Sequence, residues 1–179
     1  MKKAFKFGCL GIIALIIIIV VISLAVGGGD DDSPKKVADN GKTEQKKEKS
    51  NEPSLYKVGE TVELKDIRLT LNSATFVNAN QYSPAEKGKV LEVAFTVTNN
   101  GKKQAYFGAE EMKISSADGI QHDQYFGMDN TFMNENINPG KTITGKVYYD
   151  VPASPKYELI YTPNFSWDEK NITFELIPQ

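Results

Sequence analysis

Side chains able to do chemistry are scarce in this chain. Its 179 residues include one cysteine, Cys9, one histidine, His122, and one tryptophan, Trp167. A single cysteine excludes an intramolecular disulfide, and Cys9 sits in an apolar run where it reads as a small apolar residue rather than a reactive thiol. With one histidine and no cysteine after residue 9, nucleophilic catalysis of the Ser-His or Cys-His kind has little material. No Gly-X-Ser-X-Gly, His-Glu-X-X-His, phosphate-loop or paired-cysteine motif occurs. The chain is therefore expected not to be an enzyme and to carry no cofactor. Concentrated positive charge is also missing. Residues 54–179 hold 12 of the 21 basic residues (21 − 9) and 16 of the 23 acidic ones (23 − 7), a net charge near −4. That argues against a nucleic-acid or anionic-lipid surface, because binding phosphates requires clustered Lys and Arg.

The longest signal is apolar. Lys2, Lys3 and Lys6 precede residues 7–26, a stretch without charge dominated by Ile, Val, Leu and Ala. As a helix this stretch spans about 30 Å, the thickness of a bilayer's hydrocarbon core. Lysines before it and Asp30, Asp31 and Asp32 after it predict a single-pass anchor with residues 1–6 in the cytoplasm and everything beyond residue 26 outside the cell membrane. The competing expectation is a cleaved signal peptide, for which Ala25-Val26-Gly27 offers small residues, and a secreted effector or antigen-like product.

Residues 27–54 are Gly, Asp, Lys, Glu, Asn, Ser and Gln with almost nothing apolar. Such a segment buries too little surface to offset the entropy of ordering, which predicts a disordered extracellular linker. As a flexible coil it would hold a domain about 25 to 30 Å from the membrane.

From residue 55 to 179 the signals are those of strands. Leu91, Val93, Phe95 and Val97 alternate with Glu92, Ala94, Thr96 and Thr98, a period of two that gives one buried face. Asn99-Asn100-Gly101 tolerates positive φ and predicts a reversal into an antiparallel neighbour. Val62 and Leu64, then Ile67, Leu69 and Leu71, predict two strands or one bent one. Residues 78–88 read as a loop. Further strands are expected at 104–107, 112–115, 120–126, 142–151, 157–161 and 171–177, with turns at Ala117-Asp118-Gly119 and Asn138-Pro139-Gly140-Lys141. Seven to nine short strands and no amphipathic helical period outside residues 7–26 predict an all-β, antiparallel β-sandwich.

An ordered run of motifs carries a resemblance: Tyr56-Lys-Val-Gly-Glu-Thr-Val, Thr70-Leu-Asn-Ser, the stretch from Gly88 to Gly101, Asp118-Gly, the stretch from Asn138 to Pro152, and Tyr157-Glu-Leu-Ile-Tyr. Over residues 55–176 the chain resembles a Gram-positive family of exported domains of unknown function. That family is similar in fold to the mycobacterial immunoprotective secreted antigens. The resemblance implies an immunoglobulin-like sandwich and an extracytoplasmic location, and it brings no catalytic residue.

Two clusters are candidate sites. Tyr125, Phe126, Met128, Phe132 and Met133 form an aromatic and methionine-rich loop, and Phe165 and Trp167 lie in a second one. If exposed, rigid aromatics and adaptable thioethers suit a partner-binding patch; if buried, they plug the end of a sandwich. The second cluster is Asp118, His122 and Asp123, a weak metal or acid-base set, since alternation sends His122 and Asp123 to opposite faces. A solvent-facing histidine near a turn is the plainer expectation. The function that follows is a membrane-anchored, non-enzymatic surface domain recognising an unknown protein or cell-envelope component. The alternative from another class is a small extracytoplasmic metal-binding or hydrolytic protein.

Overall fold

A computed structural model describes residues 34–37, 55–164 and 170–179. The expected membrane span at 7–26, most of the expected linker, and Phe165 and Trp167 lie outside the described residues. Among the described residues no helix is long and apolar enough to cross a membrane.

Twelve strands appear in these residues: β1 (Lys35–Val37), β2 (Leu55–Lys57), β3 (Thr61–Leu64), β4 (Ile67–Val77), β5 (Lys89–Asn99), β6 (Ala105–Gly108), β7 (Met112–Ser116), β8 (Gln121–His122), β9 (Asn134–Ile137), β10 (Thr142–Val151), β11 (Tyr157–Tyr161) and β12 (Ile172–Leu176). One sheet runs β1-β3-β4-β5-β10 and the other β2-β12-β11-β7-β8, with β6 and β9 paired separately. All pairings are antiparallel except β12 with β2, which is parallel.

The strict alternation of β5 does what the sequence predicts. Leu91, Val93, Phe95 and Val97 are buried in one core with Leu64, Leu69 and Leu71 from their own sheet and Ile114, Leu159, Ile172, Phe174 and Leu176 from the other. Each fully buried side chain of this kind contributes about 1.5–3 kcal/mol. Residues 61–77 are two strands rather than one bent strand, joined through Lys65 and Asp66, where Lys65 has φ 53. Within β4 a bulge at Asn72 shifts the register from Leu71↔Phe95 to Ser73↔Ala94. The inward face consequently changes phase, from Ile67, Leu69 and Leu71 to Ala74 and Phe76.

Several expectations are corrected. The strand after Asn99 does not return along β5, whose neighbours are β4 and β10; β6 pairs with β9 instead. Nor does the turn use positive φ, which among the described non-glycine residues occurs only at Lys65 and among the glycines at 59, 88, 119 and 140. A Cβ at Gly101 would lie 2.6 Å from Asp66 Oδ2, so a side chain there would displace that of Asp66. The expected strand at 120–126 is only two residues long, because the chain leaves β7 after His122 and crosses to the other sheet. Gln124 bridges Tyr149, and the Tyr125 N–H donates to the Tyr148 carbonyl at 2.7 Å. The expected linker contains β1, which pairs antiparallel with the outer edge of β3.

Candidate functional site

The chain between β8 and β9 covers the free edge of β10. The Asp150 N–H donates to the Asp123 carbonyl at 3.1 Å and the Phe132 N–H to the Lys146 carbonyl at 2.7 Å. This edge docking divides the predicted aromatic loop into buried and displayed residues. Phe132 turns inward, its ring edge-on to Phe95 at 5.1 Å and 6.0 Å from Phe107. Space for it exists because residue 145 of β10 is glycine: a Cβ there would lie 2.5 Å from Phe95 Cζ and 2.9 Å from the Phe132 ring. Tyr125 is buried with Val90 and Tyr148, and Met128 packs partly against them. Phe126 and Met133 are displayed, 62% and 54% exposed. Phe132 thus fills the core as a plug would, while Phe126 and Met133 are exposed.

The buried Tyr125 organises a second loop. Its hydroxyl donates to the Ser83 carbonyl and accepts from the Asn80 N–H at 2.8 Å, while Asn80 Nδ2 donates to the Gly127 carbonyl at 2.9 Å. Between those anchors the 80–83 turn closes on itself: the Ser83 N–H donates to the Asn80 carbonyl at 3.0 Å, and the Tyr82 N–H to Asn80 Oδ1 at 2.9 Å. Farther along, the N–H groups of residues 86 and 87 donate to the two carboxylate oxygens of Asp150 at 2.6 and 2.9 Å. Tyr82 is therefore presented at 87% exposure on a turn pinned at both ends, beside the segment that presents Phe126. Sequence reasoning missed Tyr82. The available signal was an aromatic residue inside a polar loop, between Asn80 and Pro84, where no core needs it.

The His122 cluster is a correction. The histidine is buried, 8% exposed, rather than solvent-facing, and Asp123 points away with 96% of its side chain exposed. His122 Nε2 lies 2.7 Å from Ser116 Oγ, which lies 2.6 Å from Asp118 Oδ1. Ser116 has one hydroxyl proton, and the carboxylate can only accept it. His122 Nε2 must then carry the proton donated to Ser116 Oγ, leaving Nδ1 as a buried acceptor without a partner. Nucleophile activation needs the reverse arrangement, a serine donating to histidine and a carboxylate orienting that histidine. Burial first and Lys87 second lower the His122 pKa, against the opposing charges of Asp118, Asp123 and Asp150. Among the described residues no group of three His, Cys, Asp or Glu side chains could hold a metal ion.

Among the described residues Glu111 is the buried carboxylate, and no sequence pattern singled it out. Its carboxylate accepts from the Gly108 N–H at 3.0 Å and the Asn164 N–H at 2.7 Å. Burial nevertheless pushes its pKa up. Beside it, the Tyr161 hydroxyl is buried without a hydrogen-bond partner. A cavity of roughly 490 Å³ lined by Asn99, Lys103, Tyr106 and Asn164, among others, opens near this region.

Comparison with known proteins gives a consistent picture. The profile of the family described as Domain of unknown function (DUF4352) matches residues 56–172. No curated protein matches the sequence. The fold is similar to that of the Bacillus subtilis yjhA protein, with TM-score 0.57 and 20% identity over 68% of this chain and 99% of that one. It is similar to a secreted Mycobacterium tuberculosis protein, MPT63, with TM-score 0.51 and 20% identity over 72% of this chain and all of that one, 100%. The candidate lipoprotein ycdA of Bacillus subtilis gives TM-score 0.56 and 22% identity over 62% of this chain, which spans only 36% of ycdA's length. The resemblance read from the motifs, an exported family of unknown function with the fold of a mycobacterial secreted antigen, is borne out.

Proposed function

Because this chain belongs to the DUF4352 family of domains of unknown function, we propose that it is a non-enzymatic recognition domain displayed outside the cell. The apolar run at residues 7–26 anchors it, and the turns carrying Tyr82 and Phe126 are its recognition face. The observation that carries this reading is the exposure of those two aromatics, 87% and 62%, on two loop segments hydrogen-bonded to each other through the buried Tyr125. Aromatic side chains displayed on a preorganised backbone lose little conformational entropy on binding and offer large contact area, the properties of interface anchors. Met133, also exposed, adds an adaptable apolar contact. The partner proposed is a protein or another component of the cell envelope. The location is supported by the charge asymmetry around residues 7–26 and by two proteins of similar fold, one secreted and one a candidate lipoprotein.

The test is proximity labelling on intact cells with a labelling enzyme fused after Gln179, comparing the native chain with Tyr82→Ser and Phe126→Ser variants. A specific set of neighbours lost in either variant supports the reading. An indiscriminate set, unchanged in both, sinks it. Protease shaving of the same cells checks the orientation, since a domain digested only after lysis lies on the other side of the membrane.

A further inference from the structure

The outer edge of β3 is occupied by a segment that comes from outside the sandwich. Lys35–Val37 pairs antiparallel with it in the register Lys35↔Glu63, Lys36↔Val62 and Val37↔Thr61, and residues 38–54 separate this segment from β2. Three features select what lies there. Lys36 Nζ meets Glu60 Oε1 at 2.6 Å, the Tyr56 hydroxyl donates to the Pro34 carbonyl at 3.1 Å, and Val37 is 8% exposed. Main-chain pairing with a sheet edge supplemented by side-chain selection is how extended peptides are captured by β-augmentation.

We propose that the outer edge of β3 is an acceptor site for an extended Pro-Lys-Lys-Val segment, and that a second copy of this chain supplies that segment in trans by exchange of β1. The occupant already on the edge defines the ligand: a basic residue facing Glu60, an aliphatic residue opposite Thr61, and a carbonyl within reach of Tyr56. Residues 34–37 of another copy satisfy all three by identity. Exchange replaces each contact with the same contact, so it costs little beyond the loss of intramolecular proximity. Residues 38–54 span up to about 60 Å when extended, enough to reach a neighbouring domain. Proximity favours the intramolecular arrangement by an effective concentration on the order of millimolar, so exchange becomes appreciable where copies are crowded to a similar density. The pairing involves only three residues, which keeps it readily reversible. This inference is independent of the recognition face at Tyr82 and Phe126.

The test uses the full chain in detergent with Cys9→Ser as background. One preparation carries Val37→Cys, a second Thr61→Cys, and a third both; positions 37 and 61 are directly opposed in the register, close enough for a disulfide. Mixing the two single-cysteine chains under mild oxidation is expected to give a heterodisulfide dimer whose yield rises with protein concentration. Adding Lys36→Glu to the Val37→Cys chain should cut that yield several-fold, and adding Glu60→Lys to the Thr61→Cys chain should restore it. Failure of the heterodimer at every concentration, while the double-cysteine chain closes on itself, overturns exchange and leaves β1 as an intramolecular strand. Failure of both overturns the acceptor site itself.

Discussion

The carboxamide of Asn99 donates to the main-chain carbonyl of Ile137 across 2.8 Å, tying the end of β5 to the β6–β9 pair. The same Nδ2 donates to the Lys103 carbonyl at 2.8 Å, and Oδ1 accepts from the Gly101 N–H at 2.8 Å. Asn99 has 0% exposure and follows Phe95 and Val97 on the inward face of β5. Asn99→Ala strands two carbonyls and one N–H near the core, and is expected to cost about 3 kcal/mol. Asn99→Asp should be at least as damaging, because it sets a carboxylate against two carbonyl oxygens. The check is a lowered urea midpoint with an unchanged m-value.

Gly145→Ala forces a methyl group into the space shared by Phe95 and Phe132. The expected cost is about 1–3 kcal/mol from overpacking. Phe132→Ala alone costs about 3 kcal/mol through the cavity it leaves. The double variant should lose less than the sum of the two, because the added methyl group enters the vacated space. Strict additivity in a double-mutant cycle would mean that Phe132 does not sit on Gly145.

Tyr125→Phe removes one hydroxyl and with it the anchors at Asn80 and Ser83. Global stability should fall by about 1–2 kcal/mol. The larger effect is expected locally, as loss of hydrogen-exchange protection at the Asn80 amide while amides of β5 stay protected. Tyr82→Ser and Phe126→Ser, at exposed positions, should change stability by less than about 0.5 kcal/mol. Those two variants therefore report on recognition and not on folding.

Stability should decline as pH falls through the middle sixes. The unfolded chain takes up a proton on His122 near its ordinary pKa of about 6.5. In the folded protein burial, with Lys87 behind it, holds that pKa lower, so folded His122 stays neutral while unfolded His122 is already charged. The unfolded state then binds more protons, and stability, complete above about pH 7, is lost progressively as pH drops towards the folded value. Urea midpoints between about pH 7.5 and 5.5 measure this decline, and His122→Asn should flatten it. A native curve already flat in that window would mean that His122 ionises equally in both states.

Alternation made the sandwich legible. Strands β5, β10, β11 and β12 were readable because each buries one face against an apolar core, and that demand writes a period of two into the residues. The strands that escaped notice, β1, β2 and β9, are only three or four residues long. β9 is Asn134–Ile137, polar except for its last residue, and β1 is basic with one valine. Their existence depends on an edge offered by a distant strand, which leaves no local pattern. Asn99 misled for a related reason: its type suggested a turn, but its place in the alternation of β5 put it inside.

The candidate site was half legible. Its aromatic composition drew attention to residues 125–133, yet composition could not say that Phe132 would fill the space over Gly145 while Phe126 would face outward. Nor could it join the turn that carries Tyr82 to the segment that carries Phe126, because that junction is made by Tyr125 reaching across to a turn some forty residues earlier.

Taken alone, the sequence determined the fold class, the acidic balance that argues against phosphate partners, and the apolar run at residues 7–26, since each is a property of composition or periodicity along the chain; its ordered motifs carried the resemblance to the family. The tertiary structure decided which aromatics are core and which are displayed. It also set the proton on His122 Nε2 and placed the Asn99 carboxamide against the carbonyl of the distant Ile137. Those outcomes depend on which edges and cavities the rest of the chain leaves open, and such vacancies exist only once the two sheets have come together.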